Sequence, residues 1–400
     1  MFSDGALMAY RKMGCRLGYL ALALAVLAGG VALGDTPAQK KKTKKAAAVQ
    51  AKQQTGVSAK ATPAALTRRT AHRSRVRHLF SPWTEPTYAN STDGDRVEGE
   101  NPVVRRAAVE ALGPYNGTVV AVEPTTGRIL AMVNQRVALK SGFQPCSTIK
   151  IPVALAALSE GIIDRTTPLR IYGRTRVDLT QALAHSNNYY FANLGIKLGY
   201  DRFSYYAHLF GLGEKAGLNI EGEEPGYFAE APPKNGGMGM MTSFGEGIAL
   251  TPLELAAVLS AVSNGGTLYY LQYPRSSEEI EQFVPRVKRH LDIAQHVGEI
   301  KPGMMGAVEF GTARRAVYDP EAPVCGKTGT CTGGTTHLGW FGSFNDFGQN
   351  KVVVVVLLTG GRGVSGPTAA QISGNIYRSL EHEGYFSRRP VFSPAVLVSR

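Results

Sequence analysis

Ser147-Thr148-Ile149-Lys150 sets a hydroxyl and an amine three residues apart at what reads as a helix start, so both face the same way one turn apart. A serine hydroxyl is a poor nucleophile at neutral pH and needs a base beside it. A lysine serves once burial or a second cation lowers its pKa. The positive helix end opposes protonation of Lys150 and favours negative charge on the serine oxygen. Ser186-Asn187-Asn188 offers a second hydroxyl, able to relay a proton, and two residues on a carboxamide, able to hold a substrate amide. Read alone, Ser186 is better explained as a helix N-cap. Gly326-Lys327-Thr328-Gly329-Thr330 is a cation with two hydroxyls on a strand whose glycine leaves the backbone open to a neighbour. It is not the end of a phosphate-binding loop: Glu321 stands where that motif needs its first glycine, and the surrounding pattern is a strand.

These groups need elements to hold them. Asn101 as cap, Pro102 at the first position and Gly113 at the far end predict a helix over Pro102–Leu112. Thr118–Val122 and Ile129–Val133, joined by Glu123-Pro124-Thr125-Thr126-Gly127, predict a hairpin. A helix should begin around Ser147 and stop at Gly161, with Pro152 tolerated near its first turn. Residues 178–265 mix short helical segments with glycine-rich turns, and Thr251-Pro252 opens a helix closed by Asn264-Gly265-Gly266. Three strands are expected at Pro323–Cys331, His337–Ser343 and Lys351–Leu358. The fold class is α/β (α+β): an antiparallel sheet joining N- and C-terminal segments, with helices on both sides.

At 400 residues, with 44% hydrophobic and 19% charged residues, the chain can bury a large core and is neither wholly disordered nor a polytopic membrane protein. Residues 1–84 hold 15 of the 44 Lys and Arg and two acids, which accounts for the whole net charge of +13; the rest is neutral. The basicity belongs to a tail, and a nucleic-acid partner is disfavoured. Leu17 to Gly34 is an uncharged apolar run after Arg11, Lys12 and Arg16, so residues 1–34 read as a signal peptide or signal anchor, with Ala32-Leu33-Gly34 as a cleavage site. The lysines at 40–45 oppose the positive-inside rule, yet long domains translocate largely regardless of charge, so export is expected. Residues 35–84 are too poor in large apolar residues to fold and read as a basic tether. Cys15 lies in the targeting segment. Cys325 and Cys331, six apart on one strand, are too distant to bridge, and no cysteine spacing suggests a zinc site.

Taken together and in this order, the three groups resemble the set shared by penicillin-binding proteins and serine β-lactamases. The likeness extends to NGTVVAVEPTTGRILAMVN, FGLGEKAGLNIEGE, SFGEGIALTPLELAAVLSAVSNGG and VCGKTGTCTGGTTHLGWFGSF, spanning roughly residues 95–385. The chain is identified as a member of the penicillin-binding proteins, with a transpeptidase domain over 85–390 and a tail over 391–400. The resemblance implies the β-lactamase/transpeptidase-like fold and a peptidoglycan D,D-transpeptidase without metal or cofactor. Ser147 would be the nucleophile, Lys150 its base, and Ser186 the relay beside Lys327. Asn188 would bind the donor peptide, and Thr328 and Thr330, flanking Gly329, its carboxylate. The N–H groups of Ser147 and Thr330 would form the oxyanion hole. Partners implied are stem peptides and β-lactams, the membrane if the signal is uncleaved, and cell-wall synthesis proteins; the location is periplasmic or cell-surface.

Several residues depart from the family pattern. Glu246 stands where glutamine is usual. Cys146 stands where glycine often precedes the serine, either as a small buried residue or as a partner for Cys325. Ile151-Pro152 looks more like class D β-lactamases, which however normally carry valine where Asn188 stands. Glu214…Leu218-Asn219 is one residue too long for the class A deacylation loop and reads as the transpeptidase turn. Residues 1–84 leave no room for a glycosyltransferase domain or large pedestal. Cross-linking is therefore weighed against carboxypeptidase trimming, β-lactam hydrolysis and a non-catalytic wall-complex role.

Overall fold

The computed structural model describes residues 83–387. The expected targeting segment, nearly all of the tether, the C-terminal tail and Cys15 lie outside them. Among the described residues no helix is long and apolar enough to cross a membrane.

Helix α1 (Pro102–Leu112) has the expected bounds, because Asn101 Oδ1 accepts the N–H groups of Val103 and Val104 and proline occupies the first turn. Strands β1 (Gly117–Glu123) and β2 (Arg128–Val133) form the expected hairpin. The helix expected from Ser147 instead enters through a 3-10 turn, Cys146–Ile149, before α2 (Lys150–Ser159). Pro152 falls in the first α-turn, where its missing N–H costs no intrahelical bond. Helices α3 (Leu179–Ala184) and α4 (Asn188–Leu198) follow, then α5 (Pro252–Asn264), whose Thr251 and Glu254 form a capping box and whose chain exits at Gly265 in the left-handed region. Helix α6 (Ala294–Glu309) precedes the strands β3 (Val324–Gly333), β4 (Thr336–Asn345) and β5 (Val353–Gly360), and α7 (Gly366–His382) ends the described chain.

The sheet order is β2-β1-β5-β4-β3, antiparallel throughout, so the N-terminal hairpin and the three C-terminal strands make one surface. Alternation along the strands sends Val119, Ala121, Val354, Val356 and Leu358 to one face, under α1 and α7. Val120, Val122, Val353, Val355 and Leu357 go to the other, against the helical half with α2 and α5. The central β5 is buried on both faces, which explains the unbroken apolar run from Val352 to Leu358. Strand β3 is at the sheet's edge, beside the 3-10 turn that carries Ser147.

Candidate active site

The turn around Ser147 is held from three directions. Thr148 Oγ1 donates to Pro145 O at 2.7 Å, Trp340 Nε1 donates to Gln144 O at 2.9 Å, and Cys146 is disulfide-bonded to Cys331 with Cα atoms 5.6 Å apart. The bridge therefore runs from Cys146 to Cys331 and not to Cys325, which is a free, buried thiol. Both cysteines point to the same face of β3, six residues apart, so the choice is set by position along the strand: the turn faces the far half of β3, and Cys325 lies six residues back, near Phe344 and Asp346. A Cβ at Gly329 would sit 2.9 Å from Pro145 O and 3.3 Å from Cys146 Cβ, so the turn and strand meet this closely only over a glycine.

Ser147, Lys150, Ser186, Asn188 and Lys327 converge here. Lys150 Nζ is fully buried and lies 3.1 Å from Ser147 Oγ, 2.8 Å from Ser186 O, 3.1 Å from Ser186 Oγ and 2.6 Å from Asn188 Oδ1. Lys327 Nζ donates to Ser186 Oγ at 2.8 Å and to Thr328 O at 2.9 Å. Burial, and secondarily the charge of Lys327, lowers the Lys150 pKa to about 6; burial alone lowers that of Lys327 to about 7. Ser186 is not a helix cap. It lies at φ 55°, and Asn187 caps α4 by accepting the Tyr190 N–H at 2.9 Å. That kink turns the Ser186 hydroxyl toward both amines. Thr328 Oγ1 lies 2.6 Å from Thr312 Oγ1, and Thr330 Oγ1 accepts the Gly366 N–H at 2.8 Å.

The family model of the penicillin binding protein transpeptidase domain matches residues 117–378. The chain belongs to this family. It is 27% identical over 69% of its length to stage V sporulation protein D of Bacillus subtilis, covering 51% of that protein. It is 26% identical over 70% of its length to the peptidoglycan D,D-transpeptidase PbpA of Mycobacterium tuberculosis, covering 70% of it. The chain thus spans about half the length of the first relative and over two thirds of the second. The crystal structure of PBPA from M. tuberculosis superposes with TM-score 0.60 at 25% identity, covering 70% of this chain and 81% of that one. The family and the fold class expected from the sequence hold.

The transpeptidase domain also contains residues that the sequence analysis does not single out. Cys331 is one, legible in principle because Cys146 and Cys331 each adjoin a motif residue, Ser147 and Thr330. Thr312 is another, carried by Gly311-Thr312-Ala313 between α6 and β3 with no chemical signature of its own. A third is Glu254, buried, with its pKa raised to about 7 by burial. Its carboxylate accepts the N–H groups of Gly213, Glu214, Gly226 and Thr251, tying the loops of the helical half to α5. Glu214 itself pairs with Lys288 and Arg289, away from Ser147's hydrogen-bond network.

Proposed function

We propose that this protein is a peptidoglycan D,D-transpeptidase that cross-links stem peptides through a serine acyl-enzyme and is acylated by β-lactams. The observation that carries the reading is Lys150: a buried amine with a pKa near 6, in reach of one candidate nucleophile and one candidate relay. Ser147 Oγ attacks the carbonyl carbon of a D-Ala-D-Ala bond while its proton passes to neutral Lys150. The N–H groups of Ser147 and Thr330 stabilise the oxyanion, usually the greatest contribution to rate in acyl transfer. The C–N bond then breaks, and the departing amine of D-alanine takes a proton from Ser186, which Lys150 reprotonates and the Lys327 charge assists. An amine of a second stem peptide attacks the acyl-serine and returns Ser147 with its proton. Asn188 binds the donor peptide, Thr328 and Thr330 hold its carboxylate, and the edge of β3 beside Gly329 receives its backbone.

The name and mycobacterial source of PbpA support the substrate class, and the amide of Asn188 against Lys150 favours a transpeptidase over a class D hydrolase. Among the described residues no carboxylate is hydrogen-bonded to Ser147, Lys150 or Ser186, unlike the glutamate-dependent arrangement of class A β-lactamases. The chain acts outside the cytoplasm, with residues 1–34 as its signal or anchor, 35–84 as a tether and 85–390 as the catalytic domain. A Cys146–Cys331 bridge belongs in an oxidising compartment. The test is labelling of the detergent-solubilised full chain with a fluorescent penicillin, beside Ser147→Ala. A serine-dependent label lasting many minutes is expected. Rapid loss as hydrolysed product would make it a β-lactamase, and a folded chain that never labels would leave a scaffold.

A further inference from the structure

The segment between α6 and β3 is pinned by three successive backbone donors: Gly311 N–H to Gly306 O at 2.8 Å, Thr312 N–H to Ala184 O at 3.1 Å, and Ala313 N–H to Ala307 O at 2.7 Å. Any side chain at Gly311 would drive its Cβ to 2.1 Å from Ala184 O, so the approach to α3 depends on glycine. Ala184 lies two residues before Ser186. Thr312 therefore has its Cα fixed against the Ser186 loop while its hydroxyl reaches across to β3, 2.6 Å from the hydroxyl of Thr328.

A threonine hydroxyl has one proton to give. Thr328 can donate it to Thr312 or to a substrate carboxylate, and a carboxylate can only accept. Thr330 meets this constraint already: its oxygen accepts from the Gly366 N–H, which can do nothing but donate, so its own proton is left for a ligand. Thr312 is placed to do the same for Thr328. We propose that Thr312 is a positioning residue, donating its proton to Thr328 Oγ1 so that the Thr328 hydroxyl points its own proton at the donor's terminal carboxylate. Donation into the oxygen also polarises the outgoing O–H and strengthens its bond to the anion. The pair thereby selects for donors that end in a free carboxylate. This inference rests on the transpeptidase reading above.

The experiment measures second-order acylation of the full chain by a penicillin and by the methyl ester of the same compound. Unlabelled wild type would sink the transpeptidase reading; with labelled wild type the remaining arms test Thr312 alone. Thr312→Val, which keeps the shape and the backbone bond to Ala184, is expected to slow the carboxylate probe about tenfold, in line with losing a hydrogen bond to a charged group, and to leave the ester within about twofold. Thr312→Ser should restore the wild-type rate. In a Thr328→Val background, Thr312→Val should cost nothing further. Thr312→Ala runs beside it in case valine does not fold, with a thermal melt confirming each variant. Equal slowing of both probes, an additive loss with Thr328→Val, or no slowing at all would each overturn the proposal.

Discussion

The amine of Lys150 has within reach two oxygens that can only accept, the Ser186 carbonyl and Asn188 Oδ1, and the hydroxyls of Ser147 and Ser186. As an ammonium it carries three protons and no lone pair, so it cannot take the Ser147 proton. As an amine, its two protons satisfy the two accept-only oxygens, and the lone pair is left for a hydroxyl. With the pKa lowered to about 6, acylation is expected to rise with pH through that value. Lys327, lowered only to about 7, is still cationic there and repels the proton on Lys150. Lys327→Met removes this repulsion, so the Lys150 pKa rises and the ascending limb moves to higher pH, on top of any loss in maximal rate. Stopped-flow acylation from about pH 5 to about pH 9 reads the limb directly, in a range where ordinary lysines do not titrate. An unmoved limb would mean that Lys327 does not act on Lys150 through its charge.

Between elements, the Cys146–Cys331 bridge is the covalent tie between the turn that carries Ser147 and the strand that carries Thr330. Those two residues are the proposed oxyanion donors, so the bridge is a strut across the hole they form. Reduction, or Cys331→Ser, is expected to lower stability by roughly 2–5 kcal/mol and to slow acylation in the chain that remains folded. Denaturant unfolding and penicillin labelling with and without reductant check both; an unchanged acylation rate would make the bridge a stabiliser alone. The same bridge marks how far the sequence could be read. Asn101-Pro102, Thr251-Pro252 and Gly265 announce α1 and α5 because capping is local, and alternating or unbroken apolar runs announce the five strands because burial repeats along the chain. The three motif groups were legible as residues, and the structure brings Ser147, Lys150, Ser186, Asn188 and Lys327 together. The pairing of Cys146 was not, since it depends on which half of β3 faces the turn. Nor was the kink at Ser186, where a neighbour, Asn187, took the capping role, nor Glu254, whose acceptor duty is toward loops some 30 to 40 residues distant in sequence.

Across the whole molecule, the site depends on a sheet assembled from the two ends of the domain. β1 pairs with β5 across more than two hundred residues, and β3, which carries Lys327, reaches β1 only through β4 and β5. Helix α7 closes this assembly. Its buried face, with Ala369, Ala370, Ile372, Ile376, Tyr377 and Leu380, covers Val354, Val356 and Leu358, and its first residue, Gly366, holds the Thr330 hydroxyl. Each large apolar side chain so buried contributes about 1.5–3 kcal/mol, and a domain's net stability is only about 5–15 kcal/mol. Removing α7 uncovers both its own face and that of β5, a loss that exceeds the margin. A chain ending at Gly361 is therefore expected to show no cooperative unfolding transition and no Ser147-dependent penicillin label, although every one of the proposed catalytic residues is still present. Labelling by that shortened chain would mean that the helical half sets the site's geometry by itself, with the sheet as no more than its support.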